Sequence, residues 1–198
     1  SAASDVYKRQ AQAYPRTRPQ VSFSDRFIDP VEDGVDIIVR IGGPDAWSSL
    51  VEHRLLGHEQ HVFCASPAYL EAHGVPAMRG DLLAHRCIAY GRADGSVSPW
   101  RFAAAMPGEV ELQMMPAPLV VGDGEGQVTA ALVGGGIVQL PTWLVRSHLE
   151  DGALVEVLPH LASQGLPLTL AWMKSRRQLP TVSLLLETLA QELAPRIR

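Results

Sequence analysis

The stretch "LVVGDGEGQVTAALVGGGIVQLP", from Leu119 to Pro141, decides the fold class. It opens with an apolar, β-branched run typical of a strand and continues with Val128, Ala131 and Leu132 at helical spacing. Glycines then end the predicted helix, and a second apolar run, "IVQLP", predicts a buried strand. Because two strands joined by a helix usually lie parallel in one sheet, this stretch predicts a βαβ unit.

The same alternation of strand and helix patterns continues on both sides. The predicted strands are "QVSFSDRF", "VDIIVRIGG", "LLGHEQHVFCASP", "RCIAY", "PWRF", "EVELQMMP", "ALVEVLP" and "LPLTLAWMKS". The predicted helices are "DPVEDG", "PAYLEAHG", "GDLLAH", "TWLVRSHLEDG" and "LPTVSLLLETLAQEL". Because "VDIIVRIGG" is almost entirely apolar, it predicts a strand buried on both faces of a parallel sheet. The alternation predicts an α/β fold with a mostly parallel sheet.

Composition excludes several classes of protein. The chain has 198 residues, 46% of them hydrophobic, and a formal net charge of -4, which gives no basic footprint for nucleic acid or an anionic membrane. Its two cysteines, Cys64 and Cys87, form no disulfide framework, as is typical of a reducing cytosol. No apolar run could span a membrane, and no apolar signal segment opens the chain. These features predict a soluble, cytoplasmic protein that binds a small molecule.

The first ten residues, "SAASDVYKRQ", lack periodicity and join abruptly to a continuous pattern that starts near Ala11. Asp5 to Gln10 resemble an in-frame translation of the transposon end used to prepare sequencing libraries. We therefore expect residues 1–10 to be a non-native scar and exclude them from the fold prediction. Native coding sequence at this position of the locus would contradict this interpretation.

The turn "GDGEGQ" follows a predicted strand and opens a predicted helix, so free backbone N–H groups and the positive end of the helix dipole meet there. It resembles the start of a dinucleotide-binding fingerprint, but Gln127 stands where the last glycine is required. Asp123 is the expected N-cap of the helix. An ordinary capped helix and a ligand-binding turn at Gly122, Asp123 and Gly124 are both consistent with this pattern.

Arg40, Ile41 and Gly42 end another predicted strand. The arginine either pairs with Asp36 or Asp45 in a structural salt bridge or contacts an acidic group of a ligand.

Three further residues are weaker candidates for ligand contacts. Ser66 and Pro67 start the helix pattern "PAYLEAHG", and Gln139 lies near the end of the strand pattern "IVQLP".

Catalytic and metal-binding interpretations of the cysteines and histidines are weaker than structural ones. Cys64 precedes a predicted helix, where a thiolate is stabilised, but His61 lies an odd number of strand positions away and points to the opposite face. His58 and His61, in "HEQH", likewise point to opposite faces, which favours a solvent-facing polar strand. No Ser–His–Asp arrangement or carboxylate pair is visible. We therefore predict no catalytic residue, no metal and no cofactor.

Taken in order, the segments resemble the effector-binding region of LysR-type transcriptional regulators. The resemblance is carried by "DRFIDPVEDGVDIIVRIG", "SSLVEHRLLGHEQHVFCASPAYLEAHGVP", "GDLLAHRCIAY", "WRF", "LVVGDGEGQVTAALVGGGIVQLPTWLV" and "GALVEVLP". It runs from about Tyr14 to the C-terminus. No single motif is decisive, but the ordered set is specific.

The resemblance implies two Rossmann-like lobes joined by two crossover strands, as in type II periplasmic binding proteins. One lobe is expected to hold Ala11–Cys64 and Leu166–Arg198, and the other Ala65–Gly165. Hinges lie where element-terminal residues absorb backbone change, and the expected hinge residues are Cys64, Ala65, Thr169 and Leu170. The expected effector site lies in the cleft of the lobes, at Arg40, Ile41, Gly42, Ser66, Pro67, Gly122, Asp123, Gly124 and Gln139.

In this family the region senses a small-molecule effector and controls transcription through a helix-turn-helix domain, which is absent from this sequence. The resemblance therefore implies an effector-sensing domain rather than an enzyme, in a cytoplasmic homodimer or homotetramer that reaches DNA only through the missing domain. The first strand and most of the first helix of lobe one are expected to be missing as well. A free-standing solute-binding protein of the same fold is the alternative. An organic acid is an effector class compatible with the single arginine of the predicted site.

Overall fold

The computed structural model describes residues 20, 22, 28–44, 46–106 and 108–194. The elements in chain order are β1 (Ile37–Ile41), β2 (Val51–Ala65), α1 (Pro67–His73), β3 (Cys87–Tyr90), β4 (Trp100–Ala103), β5 (Val110–Gln113), β6 (Leu119–Val121), α2 (Gly124–Leu132), β7 (Ile137–Pro141), α3 (Thr142–Glu150), β8 (Val155–Val157), β9 (Ser163–Met173) and α4 (Pro180–Leu193). Short 3₁₀ helices cover Arg79–Ala84, Pro159–Leu161 and Lys174–Arg176. The predicted strand "QVSFSDRF" falls on residues that are mostly outside the described part.

The chain divides into two compact units. Unit 2 runs from His58 to Gly165, and unit 1 holds the described residues up to Gly57 and those from Leu166 onward. The lobe boundaries predicted from the sequence, Cys64–Ala65 and Gly165–Leu166, stay predictions. The second half of β2 pairs with strands of unit 2. Strands β2 and β9 each belong to both units.

Unit 2 contains the predicted βαβ stretch. Strands β6 and β7 both lie parallel to β3, with Ile88 opposite Leu119 on one side and Val138 on the other. Strand β2 runs antiparallel to β7 and β8. Parallel pairing is thus present around Leu119–Pro141, at β3–β6 and β3–β7. The prediction of a mostly parallel sheet is wrong for the described strands, because the pairs β1–β9, β2–β7 and β2–β8 are antiparallel.

Alternate residues of β2 enter different parts of the unit 2 core, as the two-residue period of a strand requires. Phe63 and Ala65 pack with Tyr69, Leu82, Trp100, Phe102 and Ile137. Val62 and Cys64 pack with Val128, Val138 and Val145, which lie on β7 and the two helices that flank it. The sheet of unit 2 is therefore buried on both of its faces.

The glycines between α2 and β7 make a tight turn. Gly134 and Gly136 have positive φ angles of 81° and 149°, which L side chains rarely adopt. A Cβ at Gly136 would lie 2.3 Å from the carbonyl oxygen of Arg86, the residue before β3. The turn brings β7 alongside β3, because Ile137 N–H donates to the same carbonyl at 2.8 Å.

Unit 1 corrects the prediction for "VDIIVRIGG". Strand β1 runs antiparallel to β9, with Arg40 opposite Thr169, and only Ile38 in it is fully buried. The expectation of a strand buried on both faces of a parallel sheet is wrong, since an apolar run alone does not specify the direction of its partner. Helix α4 packs its leucines on β9, and within the described ranges no helix is long and apolar enough to cross a membrane.

The segment "DPVEDG" forms a hydrogen-bonded turn at residues 30–34 instead of the predicted short helix. Asp29 still acts at its start, since its Oδ1 accepts hydrogen bonds from Val31 N–H at 2.7 Å and Glu32 N–H at 3.3 Å. Gly34, with a φ angle of 65°, ends this segment only five residues after Asp29, so no helix can extend.

Candidate functional site

In unit 2, the starts of two helices meet at one end of the sheet. Because β6 and β7 are both parallel to β3, their carboxyl ends lie at the same edge, where α2 follows β6 and α3 follows β7. A Cβ at Gly124, the first residue of α2, would lie 2.8 Å from Leu144 Cδ2 in the first turn of α3. The two first turns are therefore in contact, and we call this place the helix-start end of unit 2.

Asp123 is the N-cap of α2, as predicted. It has extended backbone angles, and its Oδ1 accepts a hydrogen bond from Gly126 N–H at 2.8 Å. The turn tolerates little side-chain volume, since a Cβ at Gly126 would lie 2.7 Å from Asp123 Oδ2. Helix α3 differs, because its N-cap is Pro141 and makes no side-chain cap bond. The first-turn N–H groups of α3 thus receive no bond from a cap side chain.

Glu59 is a buried residue that the sequence interpretation missed. Its carboxylate is only 4% exposed, accepts a hydrogen bond from Trp143 Nε1 at 2.8 Å, and lies 3.4 Å from His61 Nε2. The prediction that "HEQH" is a solvent-facing strand is therefore wrong at Glu59, although His58 and Gln60 are exposed. The available signal was the alternation of the strand. Glu59 lies between two outward-facing polar neighbours in a strand that enters a core.

Polar atoms without partners also lie near this place. His61 Nδ1 and Thr142 Oγ1 are buried and have no hydrogen-bond partner among the described residues. His61 is opposite Pro141 in the β2–β7 ladder, and Thr142 is the first residue of α3. Both therefore belong to the helix-start end.

Gly165 allows close packing of β9 on Glu59 and His61. A Cβ at this position would lie 2.8 Å from Glu59 Cβ and 3.0 Å from His61 Nε2. Any larger residue would push β9 away from the buried carboxylate.

Gln139, a predicted ligand contact, binds the chain itself. Its Oε1 accepts from Arg101 N–H at 2.8 Å, and its Nε2 donates to the Arg101 carbonyl oxygen. Ser163 Oγ donates to the same carbonyl at 3.0 Å. Gln139 therefore anchors the β4–β5 hairpin to β7, and its amide is already engaged.

Ser66 and Pro67 lie at the other end of the unit 2 sheet. Since β2 is antiparallel to β7, its carboxyl end is level with the start of β7, and Ser66 Oγ is 3.8 Å from a Cβ placed at Gly134. The five residues of β7, at about 3.3 Å each, separate Ser66 from the helix-start end. Ser66 is the N-cap of α1, with Oγ accepting from Tyr69 N–H at 3.4 Å. The structure thus does not bring this pair together with Gly122, Asp123 and Gly124.

In unit 1, Arg40, Ile41 and Gly42 lie at the end of β1. Gly42 has a φ angle of 76° and donates its N–H to the Pro167 carbonyl at 2.8 Å. Ile41 is 38% exposed, and Arg40 is partly buried. Of the acidic partners considered for Arg40, Asp36 binds Arg176, and Asp45 lies outside the described residues.

The predicted hinge residues lie within regular ladders. Cys64 and Ala65 pair with Val138 and with Val155 inside unit 2, while Thr169 and Leu170 pair with β1 inside unit 1. The chain leaves unit 2 at other residues, Gly57–His58 and Gly165–Leu166. Backbone change at the four named positions stays a prediction.

Both thiols are expected to be inert. Burial, with a smaller contribution from the Glu156 carboxylate, raises the pKa of Cys64 to about 12, and burial raises the pKa of Cys87 to about 11. Because the thiolate is the nucleophile, we expect almost no reaction of the folded chain with an aromatic disulfide reagent at pH 8. The absorbance of the released aromatic thiolate should correspond to two thiols per chain only after denaturant is added. Rapid labelling of Cys64 in the folded chain would contradict its assignment as a structural residue.

Within the described ranges, no group of three or more His, Cys, Asp and Glu side chains is placed to hold a metal ion.

The chain is similar to curated bacterial regulators over part of their length. It is 34% identical to the uncharacterized HTH-type transcriptional regulator YhjC of Escherichia coli K12, over 89% of this chain and 58% of that protein. It is 31% identical to the HTH-type transcriptional activator TtdR of the same strain, over 77% of this chain and 48% of that protein. The chain thus spans about half the length of these relatives.

Solved structures share the fold. The regulatory domain of CrgA, a LysR-type transcriptional regulator from Neisseria meningitidis, aligns with a TM-score of 0.81 and 26% identity, over 96% of this chain and 91% of that one. Full-length AphB of Vibrio cholerae aligns with a TM-score of 0.77 and 22% identity, over 95% of this chain and 62% of that one, which supports the fold alone. The expected periplasmic-binding-protein-like α/β fold is confirmed.

The matching family model, described as the LysR substrate binding domain, covers residues 3–194. The match includes most of the first ten residues, which we interpreted from sequence as a scar. With nearly the whole chain aligned, this protein belongs to the LysR substrate-binding domain family.

Proposed function

We propose that this chain is the effector-sensing domain of a LysR-type transcriptional regulator and that its effector binds at the helix-start end of unit 2. The observation that carries the proposal is the contact between the first turns of α2 and α3 beside Gly122, Asp123 and Gly124. First-turn N–H groups and positive dipole ends converge there, and ligands of α/β sheets bind outside the carboxyl ends of strands. The partnerless polar atoms of His61 and Thr142 lie at the same end.

This arrangement favours an effector that carries a carboxylate. First-turn N–H groups stabilise an anion, and the α3 start has no capping side chain that competes for them. Asp123 opposes this preference in part, because its carboxylate already caps α2. A single carboxylate on a small organic molecule is therefore a better fit than a polyanion.

We infer that the effector changes transcription through a helix-turn-helix domain elsewhere in the regulator, in a cytoplasmic homodimer or homotetramer, with no catalytic step. The curated relatives carry the names of HTH-type transcriptional regulators, which favours this role over a free-standing solute-binding protein. Effector control needs only a difference in affinity between two states, typically worth about 1–3 kcal/mol.

Thermal-shift screening tests the binding proposal. We expect at least one aromatic or short aliphatic carboxylic acid, at about a hundredfold over its Kd, to raise the Tm by roughly 5–10 °C, because binding then adds about 2.7 kcal/mol. The matched neutral amide of each acid should give no comparable shift. Stabilisation by the amides alone would show that the ligand class is wrong, and no stabilisation by any tested compound would count against effector binding by this chain.

The alternative location suggested by the sequence pattern, at Arg40 of unit 1, has its own test. An acid that binds there predicts about tenfold weaker binding to Arg40→Ala in isothermal titration, as loss of a charged contact implies. Arg176→Ala is the matched control, because Arg176 is an arginine of the same unit that pairs with Asp36. Equal affinities in the two variants would show that Arg40 makes no effector contact.

A further inference from the structure

One buried side chain of β2, Glu59, lies beside two other segments of unit 2. Glu59 lies in β2 just after the boundary at Gly57–His58, and Trp143, the second residue of α3, donates Nε1–H to it at 2.8 Å. Gly165, the last residue of unit 2 in β9, lies so close that a Cβ there would be 2.8 Å from Glu59 Cβ. Glu59 therefore lies between the start of α3 and Gly165 of β9, close to the point where its own strand, β2, leaves unit 2.

Burial makes it costly to break the Trp143–Glu59 hydrogen bond while Glu59 stays inside the protein. With the carboxylate 4% exposed, the loss of a hydrogen-bond partner leaves a charge that water cannot solvate. His61, on the same strand, is the other polar group beside it, at 3.4 Å. A displacement of the first turn of α3 thus moves Glu59 with it, and the close approach of Gly165 extends that displacement to β9.

We propose that the Trp143–Glu59 hydrogen bond couples the first turn of α3 to two segments at the boundaries of unit 2, residues 57–61 and 163–166, which we call the exit segments. The inference rests on the proposed function, since an effector held at the start of α3 then acts on both exit segments through one side chain. Glu59 is a positioning residue here and does not contact the effector.

Unit 1 contains a matched bond that serves as a control. Trp172 Nε1 donates to Glu52 Oε2 at 3.0 Å, and Glu52 lies on the same strand as Glu59. Both tryptophans are mostly inside the protein, but the Trp172 bond involves neither α3 nor an exit segment. The substitution Trp172→Phe removes the same indole N–H from the other unit.

Amide hydrogen exchange on the ligand-free chain tests the coupling. We expect Trp143→Phe to raise exchange about tenfold in residues 57–61, 163–166 and 143–146, while peptides from β3 and the middle of β7 change little. Glu59→Gln should retain the wild-type pattern, because its amide oxygen still accepts from Trp143 Nε1. Trp172→Phe should leave exchange in the exit segments unchanged.

Three results would overturn the inference. These are unchanged exit segments in Trp143→Phe, a uniform rise over the whole of unit 2, and failure of Glu59→Gln to preserve protection. A uniform rise in hydrogen exchange would show that the bond stabilises unit 2 as a whole and does not couple these particular segments. Because no ligand is added, failure here leaves the effector proposal standing, and failure of the acid screen leaves this measurement valid.

Discussion

Gly136→Ala is expected to lose about 3 kcal/mol or more of unfolding free energy, the largest effect that we expect of a single added methyl group among the described glycines. Its Cβ would lie 2.3 Å from the Arg86 carbonyl oxygen and 2.9 Å from the carbonyl carbon, and both are backbone atoms that cannot rotate away. The φ angle of 149° adds conformational strain for any L residue. A Tm decrease of about 10 °C in calorimetry is the expected measurement.

Two glycines separate the causes of this loss. Gly80→Ala has open space and no positive φ, so its Tm should stay close to that of the wild type. Gly152→Ala also has open space but a φ angle of 76°, so it should show only the backbone cost of about 1 kcal/mol. If Gly136→Ala lowered the Tm no more than Gly152→Ala, then the contact between the glycine turn and Arg86 would not hold β7 beside β3.

Gln139→Leu is expected to lose about 2–3 kcal/mol, the second largest effect. Leucine has nearly the same volume but leaves the Arg101 N–H without its acceptor and removes one of the two bonds to the Arg101 carbonyl. Urea unfolding should show a lower midpoint with an unchanged slope. Gln60→Leu, at an exposed position of β2, is the control and should alter stability by less than about 0.5 kcal/mol.

The same variant decides between two roles of Gln139. A structural anchor predicts that stability falls whether or not a ligand is present. A direct effector contact predicts unchanged stability of the ligand-free chain together with weaker binding of the acids found by screening. The second outcome would restore Gln139 to the effector site that the sequence pattern suggested.

Local patterns predicted the elements well because their causes are local. The glycines after α2, the Asp123 cap and the apolar runs of β3 and β7 each leave a mark within a few residues of sequence. The direction of a strand relative to its neighbour is not visible in its local sequence, which explains the error at β1. Its residues Ile37–Ile41 would read the same beside a parallel or an antiparallel neighbour.

The candidate site was less predictable because it depends on which ends of strands meet. Ser66 and Gly122 both follow strands, but β2 runs against β7 while β6 runs with it, so the two turns lie at opposite ends. Glu59 was missed for a related reason. The alternation of β2 indicates which way its side chain faces, but the residues that bury it, Trp143 and Gly165, are distant in sequence.

The division of the chain has a consequence for its synthesis. Unit 2 is one uninterrupted run from His58 to Gly165, whereas unit 1 is interrupted by it. Domains fold as they emerge from the ribosome. The strands of unit 2 are therefore synthesised before most of β9, the partner of β1, and before α4. A nascent chain therefore exposes the apolar residues of β1 until the residues of β9 and α4 have been synthesised.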